Sequence, residues 1–395
     1  MDLSYWITIP TYWDVGNGNE IRTVFDHPTP LHSDGTLARM LESFRCLKTK
    51  APILIIVGTS QPDPDFLAHQ KVESLLKPFA KEMDIFLVSE KNLPSINKHI
   101  QIPFLKIGSY GDIRNVQHAI PYLAGAQAVF GIDDDEIIVD PDYLDKGLAS
   151  LGKPFGEDII GGMAGPYFDS NGEYRLLDAP NLASEPNMFL KKNFFMNAAL
   201  EKVMETKELK RSNVAFGGNM CVTRETIEKT CHDPYIPRGE DYDYVITALS
   251  QGVPFYYHPS MGIVHLPPDS TGSQAGDNVN KLVSDIKRFI YVREKFYYLA
   301  KLDEEYSVTV EELLPYPGIY LDKNIDMHKE GVEALLSRYP KNFNAQSAET
   351  LVKHAQEAAH KHIPIFLEYH RMWKRVLPEI GQSDIIKNEV MALRI

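Results

Sequence analysis

The chain has 395 residues, 44% of them apolar and 24% charged, enough for one large domain with an extension or for two domains. Its 54 Asp and Glu against 41 Lys and Arg give a formal charge of −13, which argues against a general nucleic-acid binder or a coat on anionic membrane, and implies that any anionic ligand is held locally. Cys46, Cys221 and Cys231 lack the spacing of a disulfide framework or a zinc ribbon, and no run resembles a leader peptide or approaches the roughly 18 apolar residues of a membrane span. The expectation is a soluble, cytoplasmic protein with no integral membrane segment.

Leu3 to Ile9 is a predicted strand ending at Pro10-Thr11-Tyr12. Leu37, Met40, Leu41 and Phe44 recur at helical spacing behind a cap at Ser33 or Asp34. The β-branched run Ile53 to Val57, closed by Gly58-Thr59-Ser60, is a second strand. A helix from about Asp65 to Lys81 follows, then a strand from Ile85 to Val88. A helix from Asp112 to Leu123 leads into the largely apolar strand Ala126 to Ile132. This alternation implies an α/β fold, a mainly parallel sheet with helices on both faces. Ligands bind such sheets at the carboxyl ends of the strands, where Pro10-Thr11, Gly58-Thr59-Ser60 and Asp133 to Asp135 fall.

Asp133-Asp134-Asp135 at a strand end is the sharpest feature. Three crowded carboxylates repel one another unless a divalent cation neutralises them, and hard oxygen ligands favour Mg²⁺ or Mn²⁺ over zinc. The alternative is a solvated acidic turn with Asp140-Pro141-Asp142 as a helix cap. Further on, Gly217-Gly218-Asn219 feeds a strand at Met220 to Thr223, either as a plain hairpin turn or as a place where backbone approaches a ligand. Glu240 and Asp241 open a helix that ends at Gly252, where acids are also ordinary dipole-favourable caps. Val253 to His258 and Met261 to His265 are two short strands, and His265 opens a Pro, Gly and Ser loop. From residue 279 apolar positions keep helical spacing for about five turns. Helices are also predicted near Lys329 to Ser337, Ala348 to His362 and Pro364 to Val376, separated by prolines. Phe296-Tyr297-Tyr298 is expected to pack in the core or between subunits in preference to lining an acceptor groove.

In this order, from the strand with Pro-Thr-Tyr through Arg114-Asn115, the Asp-x-Asp run, the Gly-Gly-Asn turn and the Glu-Asp pair to a late His, the chain resembles the GT-A glycosyltransferases, most closely the family-2-like branch, over about residues 3 to 268. The resemblance implies a GT-A, Rossmann-like nucleotide-diphospho-sugar transferase fold at 1–270 and a helical extension at 271–395. It implies transfer of a sugar from a UDP- or GDP-linked donor to a hydroxyl acceptor, a small molecule or a glycan, with Mn²⁺ or Mg²⁺ as cofactor. Asp133, Asp135 and His265 would hold the cation. Pro10 and Thr11 would lie beside the nucleobase, Asp134 would face the ribose or sugar, and Gly217, Gly218 and Asn219 would admit the ligand. Arg114 would contact base or phosphates, or alternatively make a helix-surface salt bridge. Asp241 would be the base of an inverting transfer, with Glu240 orienting the acceptor. The C-terminal helices offer a face for a homodimer.

Departures from the pattern matter. The segment after Pro10 is long and holds Gly16, Gly18, Pro28 and Pro30, and the second strand lacks the family's Asp-Gly-Ser-x-Asp, leaving its nucleobase contact to Asp63, to backbone or to neither. No Gln-x-x-Arg-Trp follows the base, against a processive synthase. Alternatives are a retaining GT-A transferase and a non-catalytic carbohydrate-binding scaffold on the same fold. A sugar-phosphate nucleotidyltransferase is disfavoured by the absence of Lys or Arg between Pro10 and Arg22.

Overall fold

A computed structural model describes residues 4–16, 25, 28–100, 104–176, 182–268, 279–302 and 308–395. The principal strands are β1 (Tyr5–Asp14), β2 (Ile53–Thr59), β3 (Ile85–Val88), β4 (Ala128–Ile132), β5 (Glu136–Ile137), β6 (Gly162–Ala164), β7 (Tyr167–Phe168), β8 (Lys210–Arg211), β9 (Asn219–Thr223), β10 (Phe255–Tyr257) and β11 (Ile263–His265). The main sheet runs β8-β10-β6-β9-β4-β1-β2-β3, with Thr29–Pro30 paired beside the end of β1. Its half from β4 to β3 is parallel, and β9 enters antiparallel to both β4 and β6. A small sheet, β7-β11-β5, stands over the end of β4. This is a mixed, mainly parallel sheet with helices on both faces, as the element order implied.

The near-continuous apolar sequence of β2 reflects burial on both faces. Ile53, Ile55 and Val57 pack with helices α1 (Leu37–Ser43), α2 (Leu67–Leu76) and α4 (Tyr143–Ser150). Leu54 and Ile56 face the other way, against α3 (Tyr110–Ala124). The same core takes in the C-terminal helices α6 (Val279–Leu302), α7 (Met327–Arg338), α8 (Ala345–Ile380) and α9 (Asp384–Met391), through residues such as Phe289, Phe366, Trp373 and Leu377. Trp373 also donates to the Ile227 carbonyl at 2.6 Å. Beyond α9 the chain end runs along the outer strand, where Ile395 N–H donates to Ile85 O and Leu87 N–H to Leu393 O. That pairing covers an otherwise open sheet edge.

Three expectations change. β1 runs on to Asp14, so Pro10 sits inside the strand opposite Ile56 and not at its end. Residues 345 to 380 form one helix with Pro364 inside it, where a break was expected; buried Ile363, Phe366, His370 and Trp373 hold both sides of the proline to one packing surface, which outweighs the lost hydrogen bond. Neither Ser33 nor Asp34 caps α1: its N-cap is Thr36, and Asp34 pairs with Lys71 at 2.6 Å. Most of the long segment after β1, and the loop after Pro268, lie outside the described residues.

Candidate active site

Arg114 is the hub. Ser109 caps α3, its hydroxyl accepting from Asp112 N–H at 3.1 Å, and the helix is buried almost throughout, so Arg114 projects from a rigid support. Its guanidinium grips Asp133 with two bonds, Nη1 to Oδ1 at 2.7 Å and Nη2 to Oδ2 at 3.1 Å. Nε reaches Glu240 Oε1 at 3.2 Å, and Nη1 also donates to Gln117 Oε1 at 3.0 Å and Gly217 O at 3.3 Å. A Cβ on Gly217 would lie 2.6 Å from Arg114 Nη2, so the glycine is what lets the turn close on the guanidinium. Neighbouring Asn115 clasps the backbone of His232 from both sides, donating to its carbonyl at 2.9 Å and accepting from its N–H at 2.8 Å. One helix therefore ties the acidic turn, the glycine turn and the segment before Glu240 together.

The three aspartates diverge. β1 outlasts β4, which exposes Thr11 to Asp134: the threonine hydroxyl donates to Asp134 Oδ2 at 2.6 Å and accepts from Trp13 Nε1 at 3.0 Å. Burial, then the neighbouring carboxylates, push Asp134 up to about 8 against the pull of the Thr11 bond. Asp135 Oδ2 meets His265 Nε2 at 3.2 Å. Burial pulls that imidazole down, but the hydrogen bond and charge of Asp135 outweigh it and raise the His265 pKa. Beneath the turn, fully buried Glu136 accepts from Asp133 N–H at 3.0 Å. Among the described residues its other oxygen, Oε1, has no hydrogen-bond partner. Gly218 fits between Glu136 and the Tyr167 hydroxyl, to which its N–H donates at 2.7 Å.

Glu240 and Asp241 begin α5 (Glu240–Ser250) behind Gly239, whose φ of 73° is a left-handed conformation that suits glycine. Asp241 Oδ2 accepts from Gly217 N–H at 3.3 Å, leaving the carboxylate at the glycine turn. Burial and the charge of Glu240 push it up to about 6. His232 stacks on Tyr244 at 4.1 Å and donates from Nδ1 to the Glu240 carbonyl at 3.2 Å, fixing the first turn of α5. Arg288, from α6, lies so close to Gly239 that a Cβ there would sit 2.3 Å from its Nη1 and force the guanidinium to shift, and its charge pulls Asp241 downward.

The structure thus brings Thr11, Arg114, Asp133, Asp134, Asp135, Gly217, Gly218, Glu240, Asp241 and His265 into one connected constellation. Asp133 differs from expectation: both its oxygens serve Arg114, because a buried guanidinium and a carboxylate fit each other bidentately. Asn219 is fully buried, accepting from Tyr143 and donating to the Pro166 and Met261 carbonyls, so its side chain joins the two sheets. Pro10 is buried within β1, opposite Ile56. Asp63 caps α2, accepting from Leu67 and Ala68 N–H at 2.8 and 2.9 Å. Arg114 is a buried hub and not a surface salt bridge. Among the described residues no three His, Cys, Asp or Glu side chains gather as a metal cluster. Asp135 with His265 is a two-donor set, and such a set fits a Mg²⁺ or Mn²⁺ ion that takes its remaining ligands from phosphate and water. Sequence reasoning missed Glu136, Tyr167, His232 and Arg288. Glu136 alone carried a signal, as the fourth acid of the run.

Residues 85–279, just under half the chain, match the family described as glycosyltransferase like family 2. No curated protein matches. Among solved structures, the chain is similar to a mannosyltransferase from Pyrobaculum calidifontis in complex with GDP-Man and Mn²⁺, at 12% identity and a TM-score of 0.44, covering 98% of this chain and 86% of that one. It is similar to S. aureus TarS 1-349 at 9% identity and TM-score 0.42, covering 96% and 93%. It is also similar to glucosyl-3-phosphoglycerate synthase from Mycobacterium tuberculosis with Mg²⁺ and uridine diphosphate, at 16% and 0.34, covering 71% and 79%.

Proposed function

We propose that the chain is a glycosyltransferase, family-2-like and built on a GT-A sheet, that moves a sugar from a UDP- or GDP-sugar to a hydroxyl acceptor with inversion, using Asp241 as base. The observation that carries this reading is the single network through Arg114, which joins the acidic turn at the strand end to the carboxylate pair at the start of α5. Leaving-group and acceptor machinery are thereby held in one frame.

Asp135 and His265 would hold Mn²⁺ or Mg²⁺. An ion held there would supply positive charge to the departing diphosphate. Asp133, bound to Arg114, positions the turn, and Thr11 orients Asp134 towards the sugar or ribose. Backbone at Gly217 and Gly218 lets the donor approach the sheet edge, with Pro10 beside the nucleobase. Asp241 takes the proton from the acceptor hydroxyl as the new glycosidic bond forms and the bond to the diphosphate breaks. A base with a pKa near 6 is ionised at neutral pH yet more basic than an ordinary aspartate. Glu240, fixed by Arg114, sets the charge beside it and orients the acceptor.

The test is Mn²⁺- or Mg²⁺-dependent release of UDP or GDP from a panel of nucleotide sugars, comparing the intact protein with Asp135→Ala. Release from one donor that vanishes in the variant is expected. No release and no metal-dependent nucleotide binding with any donor would favour a non-catalytic carbohydrate-binding protein.

A further inference from the structure

The start of α5 is held by His232, a residue with no part in the chemistry proposed above. It lies in the segment between the short helix Arg224–Lys229 and α5 and is fully buried. Its Nδ1 stands 3.2 Å from the Glu240 carbonyl oxygen. A carbonyl can only accept, so Nδ1 carries the proton. Burial first, with His118 and Arg114 adding to it, holds the ring's pKa well below its ordinary value, so the imidazole is neutral and Nε2 is bare. The ring also stacks on Tyr244, one turn along α5, with centroids 4.1 Å apart and planes 13° apart. One imidazole therefore grips α5 twice, by a hydrogen bond at residue 240 and by a ring stack at residue 244.

His232 is itself placed by α3. Asn115 holds both of its backbone groups, and Gly111 brings the helix against the next residue, where a Cβ would lie 2.3 Å from the Asp233 carbonyl oxygen. His118, one turn on from Asn115, sets its ring 5.1 Å from that of His232. From the other side, Tyr291 and Lys295 of α6 donate to the Asp233 carboxylate at 2.9 and 3.1 Å. The segment that carries His232 is thus clamped between α3 and α6.

The consequence for Asp241 follows from its hydrogen bonds. Its Oδ1 accepts from the Tyr242 N–H at 2.8 Å, in the first turn of α5, and its Oδ2 from the Gly217 N–H at 3.3 Å. The direction of the carboxylate is therefore referred to the α5 main chain on one side and to the glycine turn on the other. Helix α3 reaches Glu240 by two routes: Arg114 takes its side chain at 3.2 Å, and Asn115, through His232, takes its main chain. The second route decides where the next residue points.

We propose that His232 is a positioning residue for transfer, which as the Nδ1–H tautomer fixes the main chain at Glu240 and so aims the Asp241 carboxylate at the acceptor hydroxyl. This rests on the transfer reading above, in which Asp241 is the base. A misplacement of about 1 Å at a reacting group costs on the order of 10²-fold in rate, so a bond remote from the substrate can control turnover.

Two substitutions separate the bond from the stack. His232→Phe keeps a ring against Tyr244 and deletes the donor, whereas His232→Asn sets an amide N–H where Nδ1 stood and deletes the stack. The Phe variant should lower kcat by roughly 10- to 100-fold. Its donor KM and its metal-dependent nucleotide affinity should stay within about twofold of the intact protein, and the Asn variant should recover kcat to within about threefold. Nitrogen NMR of histidine-labelled intact protein should show His232 as a neutral ring protonated at Nδ1. Amide hydrogen exchange over residues 240–246 should quicken in the Phe variant and not in the Asn variant. Unchanged kcat in His232→Phe, or a ring protonated at Nε2, would overturn the assignment. Equal loss of kcat and of nucleotide binding in both variants would overturn it too, leaving His232 a packing residue alone. If the intact protein turns over no donor, the transfer reading fails, while hydrogen exchange still decides whether His232 holds the start of α5.

Discussion

The acidic turn after β4 and the C-terminal helix α6 both reach the site, and they do so in opposite ways. The turn places Asp133, Asp134 and Asp135 at a strand end by local chain geometry, within a few residues of one another. Helix α6 contributes Arg288 only because its apolar face, Leu282, Ile286, Phe289 and Ile290, packs into the core and against α8. A motif can announce the first kind of functional residue. The second kind exists only after the chain has folded, and it ties the helical extension to the start of α5 through Arg288 beside Gly239.

The comparison is sharpest at α5, which both regions hold. Asp241→Asn should abolish transfer, lowering turnover by about 10²–10⁴-fold with the fold intact, since only the proton acceptor is lost. Single-turnover transfer with circular dichroism on the same sample checks both halves of that outcome. Lys295 binds α6 to the α5 side through Asp233 at 3.1 Å and Asp243 at 2.5 Å, all three fully buried. Lys295→Met should lower unfolding stability by about 3–5 kcal/mol, because two buried carboxylates lose their cation, and denaturant titration would show it. A loss below about 1 kcal/mol would mean that this buried ion triad contributes little to holding the extension.

On the side of the acidic turn, Arg114→Gln should impair turnover more than it impairs acceptor binding, since Asp133 and Glu240 both lose their partner. The pH profile of turnover should fall below about pH 6, as protonation removes the base form of Asp241, whose folded pKa is raised to that region. Asp241→Asn should remove that limb from any residual activity. The smallest effect belongs to Thr11→Val, which deletes the bond to Asp134 and should cost about 1–3 kcal/mol or less in stability, read as a small shift in thermal midpoint.

The strands and helices of the sheet half were legible because their signals are periodic and local. Ile85–Val88 falls where the apolar run placed it, and α3 is extended by only a few residues at either end. The strand-end acids and the helix-start Glu240-Asp241 were legible for the same reason. What was hidden depends on contacts between distant segments. Asp133 reads as a metal ligand until Arg114 is found beside it. Asp63 is one of three options for the nucleobase contact, beside backbone or none, until α2 takes both its oxygens. Tyr167 has no sequence signal, since its position under Gly218 is set by β7 pairing with β11. Pro364 misled in the other direction: a breaker by local rules, it is carried through by the buried face of α8.

The division of labour across the Arg114 network can be measured directly by titrating UDP and GDP calorimetrically into the intact protein, Asp135→Ala and Asp241→Asn, each with Mn²⁺ present. The account predicts that one nucleotide binds the intact protein, that Asp135→Ala loses metal-dependent binding, and that Asp241→Asn binds as tightly as the intact protein while failing to transfer. Equal loss of nucleotide binding in both variants, or unimpaired binding in Asp135→Ala, would contradict it.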